Sequence, residues 1–148
     1  MKRETFKCKE EQAYIIEELE NKSFSHPWTK YNIQDDMMHD FSQFRVLQVD
    51  GENVGYVNIW IINDAIELNR ICVLPEHRRS GHAEYMMEEL IDLCKKHELE
   101  RIILEVAADN DAAIALYDKF DFKDVHVREK YYDNKVDALI KVRMTDEH

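Results

Sequence analysis

The stretch IELNRICVLPEHRRSGHAEYMMEELIDLCKKHELERIILEV, residues 66–106, decides the fold. Ile66 to Val73 reads as a strand, ended by Leu74-Pro75. Ala83, Met86, Met87, Leu90 and Cys94 then recur at helical spacing. Glu84 and Glu88 stand near the start of that helix and Lys95 and Lys96 near its end, the arrangement a helix dipole favours. Arg101 to Val106 is a nearly continuous apolar run, expected of a strand with both faces covered. Strand, helix and strand in that order point to an α/β sheet.

Working outward, the flanks supply the remaining elements. Ala13, Ile16 and Leu19 share one face of a helix expected over residues 10–21. Ser23-Phe24-Ser25-His26-Pro27-Trp28 breaks it, and a second helix starts near Thr29 with Ile33, Met37 and Met38. Phe44 to Val49 and Asn53 to Ile62 read as strands joined at Asp50-Gly51, a strong hairpin signal. Asn63-Asp64 turns the chain into the strand at Ile66. After Val106, Asp109 or Asn110 caps a helix running to about Lys119. Phe122 to Arg128 and Val136 to Arg143 close the fold as strands. The expectation is a mixed α/β sheet of about seven strands with about four helices, in one domain covering 1–148.

Composition bounds the function. The chain has 148 residues, the size of a single domain. Lys plus Arg is 20 and Asp plus Glu is 31, giving 20 − 31 = −11. Such a chain is a poor match for nucleic acid, and it attracts basic partners. No apolar stretch is long enough to span a membrane. Met1-Lys2-Arg3-Glu4-Thr5 lacks the apolar core of a signal peptide, so a cytoplasmic location is expected. Cys8, Cys72 and Cys94 are too few and too scattered for a disulfide framework.

The basic turn Arg78-Arg79-Ser80-Gly81-His82-Ala83 opens the central helix. First-turn N–H groups lack internal acceptors, and with the helix dipole they make an anion site. Gly81 permits close main-chain approach, and Ala83 keeps the next turn small. Taken alone, the turn is better explained as an ordinary helix entrance with solvated arginines. It is neither a Walker loop nor a GxGxxG fingerprint. His77 and His82 do not make a metal site with only each other, so no metal is expected. Cys72 reads as a small core residue.

In order along the chain stand Asn69-Arg70-Ile71-Cys72-Val73-Leu74-Pro75, the basic turn, Leu104-Glu105-Val106, Asn110 to Tyr117 and Phe120-Asp121-Phe122. This set resembles the GNAT family of acyl-CoA-dependent N-acetyltransferases. With Phe24-Ser25-His26-Pro27-Trp28-Thr29, Tyr131-Tyr132 and Asp137-Ala138-Leu139-Ile140, it resembles the RimI branch, which acetylates the N-terminal alanine of a small-subunit ribosomal protein. The resemblance implies acetyl-CoA as co-substrate, with its pyrophosphate on Arg79, Ser80, Gly81, His82, Ala83 and Glu84. It implies that the backbone of Ile71, Cys72 and Val73 pairs with the pantetheine arm, and that Asn110 also contacts the cofactor. It further implies a bulge at Val73 whose N–H faces the reacting acetyl oxygen. Arg78, His82 and Ala83 depart from the residues common at those family positions.

Acetyl transfer to an amine needs a neutral nucleophile. An α-amine has a reference pKa of ~7.7–8.0 against ~10.4 for lysine, so a carboxylate base suffices for an N-terminus. Glu105, in the apolar strand near its C-terminal end, is the candidate base; the bland alternatives are a solvent-facing glutamate or a pair with Arg101. Glu67 is its rival. The resemblance makes Tyr117 the candidate acid for the departing thiolate; a core aromatic is the ordinary reading of that position. Tyr131 and Tyr132 are either a peptide-entry wall or an exposed pair in a hairpin turn. The expected function is acetylation of a basic protein N-terminus, such as that of a ribosomal protein. Lysine, polyamine or another small amine is the alternative acceptor, and a non-catalytic acyl-CoA-binding module the alternative of another class.

Overall fold

The computed structural model describes residues 1–132 and 135–145. Among the described residues, seven strands and four α-helices follow one another. They are β1 (Arg3–Lys7), α1 (Ala13–Ser23), α2 (Lys30–Met37), β2 (Ser42–Val49), β3 (Glu52–Ile62), β4 (Ala65–Val73), α3 (His82–Lys96), β5 (Arg101–Ala107), α4 (Asp111–Lys119), β6 (Lys123–Tyr132) and β7 (Val136–Met144). The strands form a mixed sheet in the order β1-β2-β3-β4-β5-β7-β6, with β4 and β5 parallel. The expected α/β class, strand number and helix number are all present.

The details correct several boundaries. A short 3₁₀ turn, Glu10–Gln12, precedes α1, so the α-helix begins at Ala13. Met38 lies past the end of α2 and is exposed. β6 runs on to Tyr132, so Tyr131 and Tyr132 end a strand instead of forming its turn. β1 has no counterpart in the sequence reading. It carries three charged side chains in five residues (Arg3, Glu4 and Lys7), and only its pairing with β2 makes it a strand.

Contacts divide the chain into two compact units. The first comprises Met1–Trp60 and Arg70–Glu88; the second comprises Ile61–Asn69 and Glu89–His148. The first has a core of Ala13, Ile16, Leu19, Ile33, Phe44, Val46, Tyr56, Cys72 and Leu74. The apolar stripe of α1 continues into Glu20, which is fully buried. Its carboxylate accepts from Tyr56 Oη (2.5 Å), the Trp28 main-chain N–H (2.8 Å), and Arg70 Nε and Nη2 (3.0 and 2.7 Å). Arg70 lies over the rings of Phe24 and Trp28, 3.9 and 4.6 Å from their centroids, and so fixes the corner between α1 and α2. Burial, and then the Glu20 charge, push the Tyr56 hydroxyl well above its ordinary pKa, so it stays a donor.

The Asp50-Gly51 hairpin has positive φ at both residues, +50° and +86°, the form that matches strand twist. Gly55 on β3 answers a different need. A Cβ there would sit 2.4 Å from the main-chain oxygen of Cys72 on β4. Gly55→Ala is therefore expected to destabilise the protein by about 1–3 kcal/mol, because a backbone atom has to give way. A urea midpoint equal to that of the native chain would refute this.

In the second unit Ile66, Leu68, Ile102, Leu104, Val106, Phe122 and Ala138 are buried. β5 alternates, so Ile103 and Glu105 on its other face are only half-buried, and the expectation of two covered faces holds for one. Lys141, buried on β7, pairs with Asp118 (3.1 Å) at the end of α4 and Asp124 (2.6 Å) on β6. Arg143 Nε donates to the Phe120 carbonyl at 3.0 Å, a second tie between β7 and the end of α4. All three cysteines are free and buried. Burial pushes the thiols of Cys8 and Cys72 up to about 11, and raises that of Cys94 as well.

Candidate active site

The first unit holds the cradle. β4 ends at Val73, a 3₁₀ turn covers Pro75–His77, and the loop from Arg78 leads into α3 at His82. Arg79 and Gly81 both have left-handed backbone, φ +63° and +80°. For glycine this is unstrained; for arginine it is uncommon and needs support from its surroundings. Within α3, Tyr85 N–H bonds the Gly81 carbonyl at 3.0 Å. The first turn of an α-helix generally presents main-chain N–H groups outward from its start. Their dipoles add along a helix of fifteen residues, favouring an anion at its start.

Side chains complete the loop. Arg78 turns back, its Nε donating to the Val73 carbonyl at 3.1 Å. Arg79 and Ser80 are exposed. His82 is buried, and its Nδ1 accepts from Arg3 Nε at 3.1 Å. Burial, then Arg3 and His77, hold the His82 imidazole below its ordinary pKa, so it is neutral at pH 7. His77 faces Glu52 (3.1 Å). Among the described residues, no group of three or more side chains is placed to hold a metal ion. Backbone donors, two left-handed residues and a nearby guanidinium fit a diphosphate. Ile71, Cys72 and Val73 lie at the end of β4 leading to this loop.

The second unit holds the carboxylates. Parallel register places Glu67 on β4 beside Ile103 on β5. The same face of β5 carries Glu105, and both glutamates line a cavity of about 550 Å³. Asn69, His126, Arg128 and Tyr132 complete its polar wall. Glu105 pairs with Arg128, Nη1 to Oε1 at 3.0 Å, and accepts from Tyr132 Oη at 3.3 Å on Oε2. The alternative partner, Arg101, faces Glu100 instead (3.5 Å). Arg128 reaches Glu105 from β6 past β7, where its register partner is the small, fully buried Ala138. Its guanidinium also lies 4.6 Å from the Tyr131 ring centroid. Burial, then the Glu105 charge, push the Tyr132 phenol up to about 12, so it donates at neutral pH.

Tyr117 and Asn110 belong to α4. Asn110 caps the helix, its side chain accepting from Ala113 N–H at 3.2 Å. Tyr117 is buried beside Phe122, ring centroids 5.6 Å apart. Burial pushes its phenol up to about 12, which keeps it protonated. It is not among the residues lining the cavity of Glu105. Each unit thus gathers part of the predicted set: the cradle residues in the first, and Glu105, Glu67, Asn110 and Tyr117 in the second. Sequence reasoning missed Arg128 and Arg3. The spacing of Arg128 from the tyrosine pair was a usable signal; Arg3 offered none.

Comparison with known proteins places these features in context. The profile of the acetyltransferase (GNAT) family matches residues 13–122. The Escherichia coli (strain K12) protein named [ribosomal protein bS18]-alanine N-acetyltransferase is 30% identical over 125 residues, covering 82% of this chain and 84% of that protein. A Bacillus subtilis (strain 168) protein named for the same reaction is 35% identical over 127 residues, 84% of each. The crystal structure of the ribosomal-protein-S18-alanine N-acetyltransferase from Escherichia coli superposes with a TM-score of 0.90 over 99% of this chain and 96% of that one, at 24% identity.

Proposed function

The chain belongs to the GNAT acetyltransferase family and is an acetyl-CoA-dependent N-acetyltransferase; from that premise we propose that its acceptor is the N-terminal α-amine of a protein, a ribosomal protein of the bS18 kind. The observation that carries this acceptor is 35% identity across 84% of both chains to a protein named for that reaction. The net charge of −11 favours encounter with a basic substrate. On this reading residues 1–148 act as one catalytic domain in the cytoplasm, where ribosomes are made.

The cofactor supplies an activated acetyl thioester. The main chain from Arg79 to Glu84 would hold its diphosphate, and the end of β4 (Ile71, Cys72 and Val73) its pantetheine arm, with Asn110 as a further contact. Glu105 serves as base, taking the proton that the neutral acceptor amine sheds as its nitrogen bonds to the acetyl carbon. Tyr117, a phenol at neutral pH, gives its proton to the departing sulfur. The Val73 N–H donates to the acetyl oxygen as negative charge develops there. Glu105 is preferred to Glu67 because two donors fix its carboxylate.

The test offers acetyl-CoA and a peptide copying the N-terminus of bS18, and follows release of the free CoA thiol. Release that survives blocking of lysines and stops on blocking the N-terminus is expected. The reverse pattern overturns the acceptor, and tight CoA binding with no turnover overturns catalysis. The pH profile is a further check. The rate is expected to rise through the α-amine pKa, ~7.7–8.0, as the acceptor loses its proton. A Tyr117 pKa of about 12 leaves the acid protonated throughout, so no descending limb is expected below pH ~11. A bell centred near neutrality would remove Tyr117 from its role.

A further inference from the structure

We propose that Arg3, on the first strand, braces the cofactor loop and contacts a phosphate of the bound coenzyme; the proposal rests on reading the loop before α3 as the diphosphate site. Pairing of β1 with β2, from Arg3↔Val49 to Lys7↔Arg45, fixes the Arg3 backbone. From there its side chain reaches residues nearly eighty positions away. Nη2 donates to the Ser80 carbonyl at 2.8 Å and Nε to His82 Nδ1 at 3.1 Å. The two bonds straddle Gly81, whose left-handed backbone sets the curve of the loop. The guanidinium also lies 5.4 Å from the Tyr85 ring centroid, on the first turn of α3.

The chemistry of the contact makes it more than a surface one. The planar fork of arginine satisfies two acceptors at a fixed separation, which a lysine ammonium does not do. Both acceptors are uncharged, so neither bond neutralises the positive charge. A guanidinium has five N–H donors, and two are used here, which leaves three for an anion. A Cβ added at Gly81 would lie 3.4 Å from Arg3 Nη2, so the guanidinium sits close against the Gly81 main chain. The neutral state of His82 preserves the Nδ1 lone pair on which one of the bonds depends. Diphosphate and ribose phosphate present the same chemistry to Arg3, so the experiment separates them.

The experiment measures CoA affinity by calorimetry, and kcat/KM with acetyl-CoA and with acetyl-pantetheine, which has no phosphate. Arg3→Ala is expected to raise the Kd for CoA about tenfold, the scale of a hydrogen bond to a charged group. Its loss in kcat/KM with acetyl-CoA should exceed any loss with acetyl-pantetheine by a similar factor. Arg3→Lys should recover only part of the affinity, since charge returns without the fork. If the defect of Arg3→Ala disappears with dephospho-CoA, the contact is to the ribose phosphate; if it persists, to the diphosphate. Equal losses with both acetyl donors mark a general structural role and overturn the proposal, as does an unchanged Kd. Gly81→Val separates the two levels. If it abolishes CoA binding while Arg3→Ala does not, only Arg3 is misassigned; if neither variant affects CoA binding, the cradle reading fails with it.

Discussion

Glu105→Gln is expected to lower kcat by about 10²–10⁴ while acetyl-CoA affinity stays unchanged. Glutamine has the same shape, and its carbonyl oxygen can still accept from Arg128 or Tyr132. What disappears is the capacity to take a proton. Structural repair therefore cannot mask the loss, and a fall in kcat without a change in CoA binding isolates the chemistry. Glu67→Gln is the matched control, since Glu67 lines the same cavity and loses the same charge. Should Glu67→Gln carry the large effect and Glu105→Gln the small one, the base has been assigned to the wrong strand. The assay is steady-state turnover on the N-terminal peptide, with calorimetry for CoA.

The second large effect concerns stability. Glu20→Ala is expected to cost about 3 kcal/mol. Removing one member of a buried ion pair costs about 3–5 kcal/mol, because the other charge is stranded. The lower end applies because the Arg70 side chain is 24% exposed and water recovers part of its solvation. Tyr56 Oη and the Trp28 N–H would lose their acceptor as well. Urea denaturation gives the single loss. Adding Arg70→Ala tests its origin: the double variant should lose less than the sum of the singles, because no charge is then stranded. A Glu20→Ala loss below ~1 kcal/mol, or strict additivity, would show that the network is not coupled.

These examples also show what the sequence could and could not disclose. α3 was legible because its apolar positions repeat at the helical period, and Met86, Met87, Leu90 and Cys94 are all buried. The Asp50-Gly51 hairpin was legible because few residues tolerate positive φ. β1 was not, since a short charged edge strand has no apolar alternation and is defined by its partner. Glu20 was readable in principle: it stands four residues after Ile16 and seven after Ala13, on the buried stripe of α1. Its partners Tyr56 and Arg70 lie 36 and 50 positions away, beyond any local pattern. At the candidate site, the loop, Glu105, Glu67 and Tyr117 were singled out as candidates through local spacing and family resemblance. The Arg128 contact depends on the strand order β5-β7-β6, and the Arg3 contact on a strand absent from the reading.

The three buried cysteines have a practical consequence at the bench. A thiol with a pKa of about 11 is only about one part in a thousand thiolate at pH 8, and a core position shields it from bulky reagents as well. A chromogenic disulfide such as an aryl-disulfide dye would therefore colour with liberated coenzyme and leave the intact catalyst untouched. Added to urea, the same dye would report the unmasking of the sulfhydryls, so a single absorbance channel could follow both product formation and melting of the scaffold.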